Sequence, residues 1–433
     1  MAPNFPLRKF AGLAGVTVLA LAALVATPAG ARAQTPAPTI QTAPTVTDGG
    51  VVDNFPDGMT FSVHAESISA INDIRLHYKI LPDGTAANAV PDFTPGKSVD
   101  ATVSLGGASL YLPPGTIIQY NWQVADARGS GNATPEQSFF YDDVRFHWQK
   151  LSADNLTIYH YTGSDSDAQK LHDVGVQAIA DAEALLGVQV PFNVNVWIYD
   201  SSDDMNPALP RTSPAFESKI ITEGIKIASD TVLVLGGVSY DTLRHELTHI
   251  VTAIAGDSAL GSLPPWLDEG TAVHAQQDQG GFKVAIVQAI GLGQVLSIHE
   301  ISSYPGDPTK VELFYGESWS IVSFLVDTYG QPKFAQLFSA IKSGKTLDDA
   351  FQTVYGFDQD GLENAWRAAH NLPARLTDSP MPSGQTTTPA ATLEPAADAG
   401  RGMSTGELIA IGVAVVALAA IVGFAGITLA RKV

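Results

Sequence analysis

The nine residues Asp241–His249 read D-T-L-R-H-E-L-T-H, and this pattern constrains the chain more tightly than any other stretch. Side chains four positions apart share one face of an α-helix, a turn from each other. On a helix His245 and His249 therefore turn their imidazoles toward one point. Glu246, one residue on, lies to the side of that point, where it reaches a bound water without crowding an ion. Leu247 and Thr248 are uncharged, and Leu243, Leu247, Ile250 and Val251 form an apolar face, so the segment reads as a buried helix with Asp241 as its N-cap. Just upstream, Thr231–Leu235 (T-V-L-V-L) is a β-branched run closed by Gly236-Gly237, a strand and its turn. A strand edge beside the helix can hold an extended peptide by main-chain hydrogen bonds.

Zinc takes nitrogen and oxygen ligands, and catalytic zinc keeps three protein ligands with the fourth position open. The segment Pro264–Ala272 (P-P-W-L-D-E-G-T-A) starts a second helix with proline, which the first turn tolerates, and Glu269 can supply the third ligand. Such a metal lowers the pKa of its water from about 15.7 toward 7, and Glu246 is placed to take the proton. His274, five residues past Glu269, is expected to be peripheral, because a fourth protein ligand would close the open position.

H-E-L-T-H followed by W-L-D-E-G-T-A resembles the gluzincin clan of zinc metallopeptidases, in particular the bacterial peptidase MA-like group. W-L-x-E-G-x-A also looks like the corresponding segment of the zinc aminopeptidases. Nineteen residues separate His249 from Glu269, which matches the thermolysin-like spacing and is one longer than the aminopeptidase one. The resemblance covers roughly Leu151–Leu372 and is strongest over Thr242–Ala272. It implies that His245, His249 and Glu269 hold one Zn2+ and that Glu246 is the general base. The family has a helix with a tyrosine near its start, similar to the apolar segment Phe314–Gly330 here. Tyr315 is thus the candidate donor to the developing oxyanion, against the competing reading of a core tyrosine. The motif by which aminopeptidases grip a substrate amino terminus is not found, so exopeptidase action has no support.

Around this unit the chain divides by composition. Residues 1–33 carry Arg8 and Lys9, an apolar run Phe10–Ala26, and A-x-A cleavage options after Ala31 or Ala33, the pattern of a secretory signal. Residues 34–50, rich in Pro, Thr and Ala, read as a linker. Residues 51–148 hold short alternating runs (Thr60–His64, Ile74–Ile80, Ala101–Leu105, Ile117–Val124, Gln137–Tyr141) between Pro and Gly turns, the signature of an immunoglobulin-like β-sandwich. His64, His77 and His147 are scattered in it and read as structural, and Trp122 and Trp148 as packing residues. Residues 151–372 form the mostly helical catalytic domain with a small β-sheet, so the fold class is α+β. Within it Leu156–Tyr161 and Val194–Tyr199 are strands, and helices cover Asp167–Leu186, Lys333–Lys342, Thr346–Tyr355 and Asp360–Ala369. Asp203-Asp204 reads as a solvated acidic loop, and Asp358 as a helix cap. Residues 373–406 are a second linker. Leu408–Ala430 is 23 residues without a charge, followed by the tail Arg431-Lys432-Val433. It is long enough to span a bilayer, with the basic end in the cytoplasm and the bulk of the chain outside.

The formal net charge of −20 argues against binding nucleic acid or anionic lipid surfaces by charge. With no cysteine, disulfides, thiolate zinc sites, thiol nucleophiles and redox roles are excluded. The expected protein is a single-pass, membrane-anchored extracytoplasmic zinc metallopeptidase acting on protein or peptide. The alternative is a surface-exposed binding or structural protein whose peptidase-like domain holds zinc without catalysis. Glu246 argues against that alternative, since a structural zinc site has no use for a base.

Overall fold

The computed structural model describes residues 42–82, 84–107, 110–210, 224–237, 239–258 and 261–375. The expected signal peptide, the second linker beyond residue 375 and the apolar segment Leu408–Ala430 lie outside the described residues. Among the described residues no helix is long and apolar enough to cross a membrane.

The first half is β-rich: β1 (Thr45–Asp53), β2 (Met59–Leu81), β3 (Thr85–Ala89), β4 (Gly96–Leu105), β5 (Ile117–Asp126), β6 (Gly131–Ala133) and β7 (Gln137–Phe140). They form one antiparallel seven-stranded sheet built on β2. The expected strands at Thr60–His64 and Ile74–Ile80 are two halves of this one 23-residue strand, interrupted by register shifts between Glu66 and Ile71 and between Ile71 and Asp73. No Gly, Pro or Asn interrupts Ala65–Ile71, so the polar stretch bends the strand instead of turning it. The first half of β2 pairs with β1 and β4, and the second half with β3 and β5. Phe61 and Val63 from one half share a core with Ile74 and Leu76 from the other and with Trp122 of β5, so the sheet is folded over on itself. The expected linker 34–50 ends sooner than its composition suggests. β-branched Thr45, Val46 and Thr47 already pair with β2.

The second half begins with a five-stranded sheet: β8 (Gln149–Ala153), β9 (Leu156–His160), β10 (Val194–Tyr199), β11 (Gly224–Lys226) and β12 (Thr231–Leu235), in the order β11-β12-β10-β9-β8. β9, β10 and β12 are mutually parallel, with antiparallel β8 and β11 at the edges. Thr231–Leu235 is therefore an interior strand, and the edge nearest the metal helix belongs to β11. Helix α1 (Asp165–Leu186) crosses between β9 and β10, with Ser164 capping its start and Gly187 ending it at φ 68°. The short α2 (Ser202–Met205) follows β10. Seven helices then run as α3 (Tyr240–Gly256), α4 (Pro265–His274), α5 (Gly280–Leu292), α6 (Val311–Tyr329), α7 (Gln331–Lys342), α8 (Leu347–Val354) and α9 (Gln359–Ala369). α5 carries no polar stripe, so helical periodicity does not reveal it in the sequence.

β10 explains how the two halves join. All six of its residues are buried. Val194, Val196 and Ile198 face the helices, in the core that also holds Leu243 and Leu247 of α3. Trp197 and Tyr199 face the β-rich half. Trp197 stacks on Tyr159 with ring centroids 4.0 Å apart, and Trp148 meets it edge-on at 4.8 Å. Tyr199 donates to the buried carboxylate of Asp143 at 2.9 Å, which Arg145 also holds. Trp148 and Trp122 are thus packing residues, as their sequence context indicates.

Candidate metal centre

The N-cap of α3 is Ser239, whose hydroxyl accepts from the Asp241 N–H, rather than Asp241. Asp241 sits in the first turn instead. Its carboxylate accepts the N–H groups of Gln277 and Asp278 at 2.8 and 3.1 Å, tying the start of α3 to the end of α4. α4 lies close to α6, because a Cβ on Gly270 would overlap the Ser318 carbonyl. Together these contacts fix α4 against α3 and α6.

His245, His249 and Glu269 are buried and converge, each offering one ligand atom, with all three atoms within 4.8 Å of one another. Glu269 Oε2 lies 3.2 Å from His245 Nε2 and 3.5 Å from His249 Nε2. Zinc bonds of about 2.0–2.2 Å in a tetrahedron set ligand atoms about 3.3–3.6 Å apart. The donor set, and the two spacings from Glu269, therefore fit zinc. Burial alone would push the His249 imidazole down, but the carboxylates of Asp268 and Glu269 outweigh it and hold it well above its usual value. Burial would likewise raise Glu269, yet His249 and His245 keep its carboxyl well below the usual range, so it stays ionised. A divalent cation would replace the protons that balance this cluster.

The residues behind the ligands are the part that sequence reasoning missed. The Gln276 side-chain amide lies 3.0 Å from His245 Nδ1. The atom facing Nδ1 is the amide nitrogen Nε2; with His245 Nε2 given to a metal, Nδ1 would carry the proton, and the amide would have to turn its oxygen toward it to accept it. Asp268 Oδ1 lies 3.0 Å from His249 Nδ1 and also accepts the Thr252 hydroxyl. Tyr304 donates to Glu269 Oε1 at 2.8 Å, leaving Oε2 for the metal. Asp268, adjacent to Glu269 in the motif, is the only one with a local signal. Tyr304 and Gln276 are brought in by the fold. Tyr304→Phe keeps the ring and removes only that hydrogen bond. It is expected to weaken zinc affinity by roughly tenfold, read by competition against a chelator, with unchanged circular dichroism.

Glu246 is buried beside the ligands, and its Oε2 accepts the Lys226 N–H of β11 at 2.9 Å. The Lys226 ammonium reaches back to the His249 carbonyl at 3.1 Å. The edge strand thus fixes the orientation of this carboxylate. Tyr315 is 2 % exposed, and its hydroxyl has no hydrogen-bond partner among the described residues. Its ring lies 6.2 Å from that of His245 and stacks on Phe282 at 4.9 Å. Burial, then the charges of Glu269, Glu246 and Asp268, push its hydroxyl well above the usual range, so it is a proton-bearing donor.

The remaining candidates are structural. His274 bonds the Ser323 hydroxyl at 2.9 Å, away from the ligands. His64 pairs with Asp100 at 2.7 Å and His299 with Asp360 at 2.8 Å. The Asp204 carboxylate accepts from the Tyr161 hydroxyl and from the hydroxyl of Ser201, the α2 cap, so it is a packing group and not merely solvated. Asp358 caps α9 through the Gly361 N–H.

Helices crossing behind a small sheet, with H-E-x-x-H on one and a glutamate on the next, define a zinc-peptidase-like domain. Residues 174–371, somewhat under half of the chain, match the family model described as the Peptidase MA superfamily. No curated protein matches the chain. Among solved structures, an M1 zinc metallopeptidase from Deinococcus radiodurans is similar over 75 % of this chain and 92 % of its own, at 12 % identity and a TM-score of 0.36. A family 56 carbohydrate-binding module that binds β-1,3-glucan is similar over 22 % of this chain and 98 % of its own, at 19 % identity and a TM-score of 0.15.

Proposed function

We propose that this chain is a membrane-anchored, extracytoplasmic zinc metallopeptidase that hydrolyses peptide bonds. The observation that carries the reading is the convergence of His245, His249 and Glu269 within 4.8 Å, with the buried carboxylate of Glu246 beside them and not among them. Zinc bound there supplies a Lewis acid and a water that loses its proton near neutral pH. Glu246 takes that proton and passes it to the leaving amine. Tyr315 donates its hydroxyl proton in a hydrogen bond to the oxyanion as it forms. β11, at the edge of the sheet, offers main-chain groups to an extended peptide. The signal-like residues 1–33 and the apolar Leu408–Ala430 support the location, with the C-terminus cytoplasmic. The β-rich half, which we read as immunoglobulin-like, braces the sheet.

Elemental mass spectrometry of the purified full chain is expected to find about one zinc per chain. Casein hydrolysis should stop on chelation and return on adding zinc. Failure to take up zinc on reconstitution would sink the metallopeptidase reading.

A further inference from the structure

One face of α5 is apolar and exposed. Val284, Val287 and Leu292 are 56, 61 and 71 % exposed, and they share that face with Gln288 and Gly291. The only charge on the helix is Lys283. The opposite face, with Ile286 and Ala289, is buried in the protein. Isolated exposed apolar residues are ordinary, but three along one helix face mark a contact surface. The chain itself indicates what covers it. Arg375, the last described residue, donates its guanidinium to the carbonyls of Val295 and Leu296 at 3.3 and 3.1 Å. The described chain therefore ends beside the C-terminal end of α5, with 32 residues of sequence between it and the uncharged run Leu408–Ala430. The same helix reaches the metal centre, because Phe282 stacks on Tyr315.

We propose that the outer face of α5 rests on the lipid bilayer, so that the cleft opens next to the membrane and the enzyme favours peptide bonds presented close to that surface. The proposal rests on the membrane-anchor reading given above. The contact is apolar, which suits a chain of net charge −20 that anionic headgroups would repel. Side chains of this kind lodge at the boundary between headgroups and acyl chains.

The absence of cysteine allows single labelling sites. Val287→Cys carries an environment-sensitive fluorophore on the full chain, held one copy per phosphatidylcholine nanodisc, with or without nitroxide-bearing lipid. Val52→Cys, on β1 and 60 % exposed, is the control, and retained zinc confirms folding in both. The expected result is a blue-shifted probe at position 287 that nitroxide lipid quenches by half or more, with the probe at 52 unchanged. In a second variant, Val284→Glu should weaken quenching of a probe on Leu292→Cys. Equal, water-like signals at 287 and 52, from a chain retained in the disc, overturn the proposal alone. A blue shift at 287 that depends on two copies per disc and ignores the nitroxide assigns the face to a second chain, and also overturns it. A chain that does not stay in the disc fails the anchor reading, and the proposal falls with it.

Discussion

Glu246→Gln leaves zinc in place and removes peptide hydrolysis. The two side chains have nearly the same shape, and the amide oxygen still accepts the Lys226 N–H that holds Oε2 at 2.9 Å. The three candidate ligand atoms come from His245, His249 and Glu269, so metal content should remain about one per chain. What disappears is the proton acceptor. A positioned general base contributes about 10²–10⁴ in rate, equivalent to roughly 3–5 kcal/mol of barrier. The check is kcat/KM on a peptide library beside elemental analysis of the same preparation. A variant that hydrolyses peptide as fast as the parent would remove Glu246 from the chemistry. A zinc-loaded parent inert toward every peptide offered would favour the zinc-binding alternative.

The second large effect is on metal binding. His249→Ala deletes one ligand and also strips Asp268 and Glu269 of the imidazole that lies 3.0 and 3.5 Å from them. Zinc content is expected to fall close to zero. Ligand present at a thousand times its dissociation constant stabilises a protein by about 4 kcal/mol. For a domain of this size that is roughly 10 °C in Tm. Chelation should therefore lower the parent's Tm by about that amount and leave the variant's unmoved. Stoichiometric zinc in His249→Ala would show that the metal sits elsewhere.

The centre divides into a part visible in the sequence and a part that is not, and the division follows distance along the chain. His245, Glu246 and His249 are fixed by one turn of helix, and Glu269 by a short motif, so local geometry suffices for all four. Tyr315 needs a family resemblance to single it out, because a buried aromatic on an apolar helix looks like core. Tyr304 lies 35 positions from the carboxylate it holds, and Lys226 lies 20 from Glu246. No periodicity links such pairs. The same limit applies to the fold. α1 and α6 to α9 show caps or helical spacing and are legible. α5 is apolar all round and is not. Ser239 outranks Asp241 as the cap because Asp241 is engaged by the Gln277 and Asp278 N–H groups. β2 reads as two strands because a polar bend resembles a loop when its partners on both sides are unknown.

β10 has helices on one face and tryptophan and tyrosine packing on the other. A strand covered in this way leaves no seam along which the β-rich and helical halves can swing apart. Among the described residues these two halves therefore form one packed frame, and on the peptidase reading proposed above admission to the cleft would depend on segments that border the helices themselves. Selectivity for substrate would in that sense be a property of the rim, carried on a frame that stays fixed.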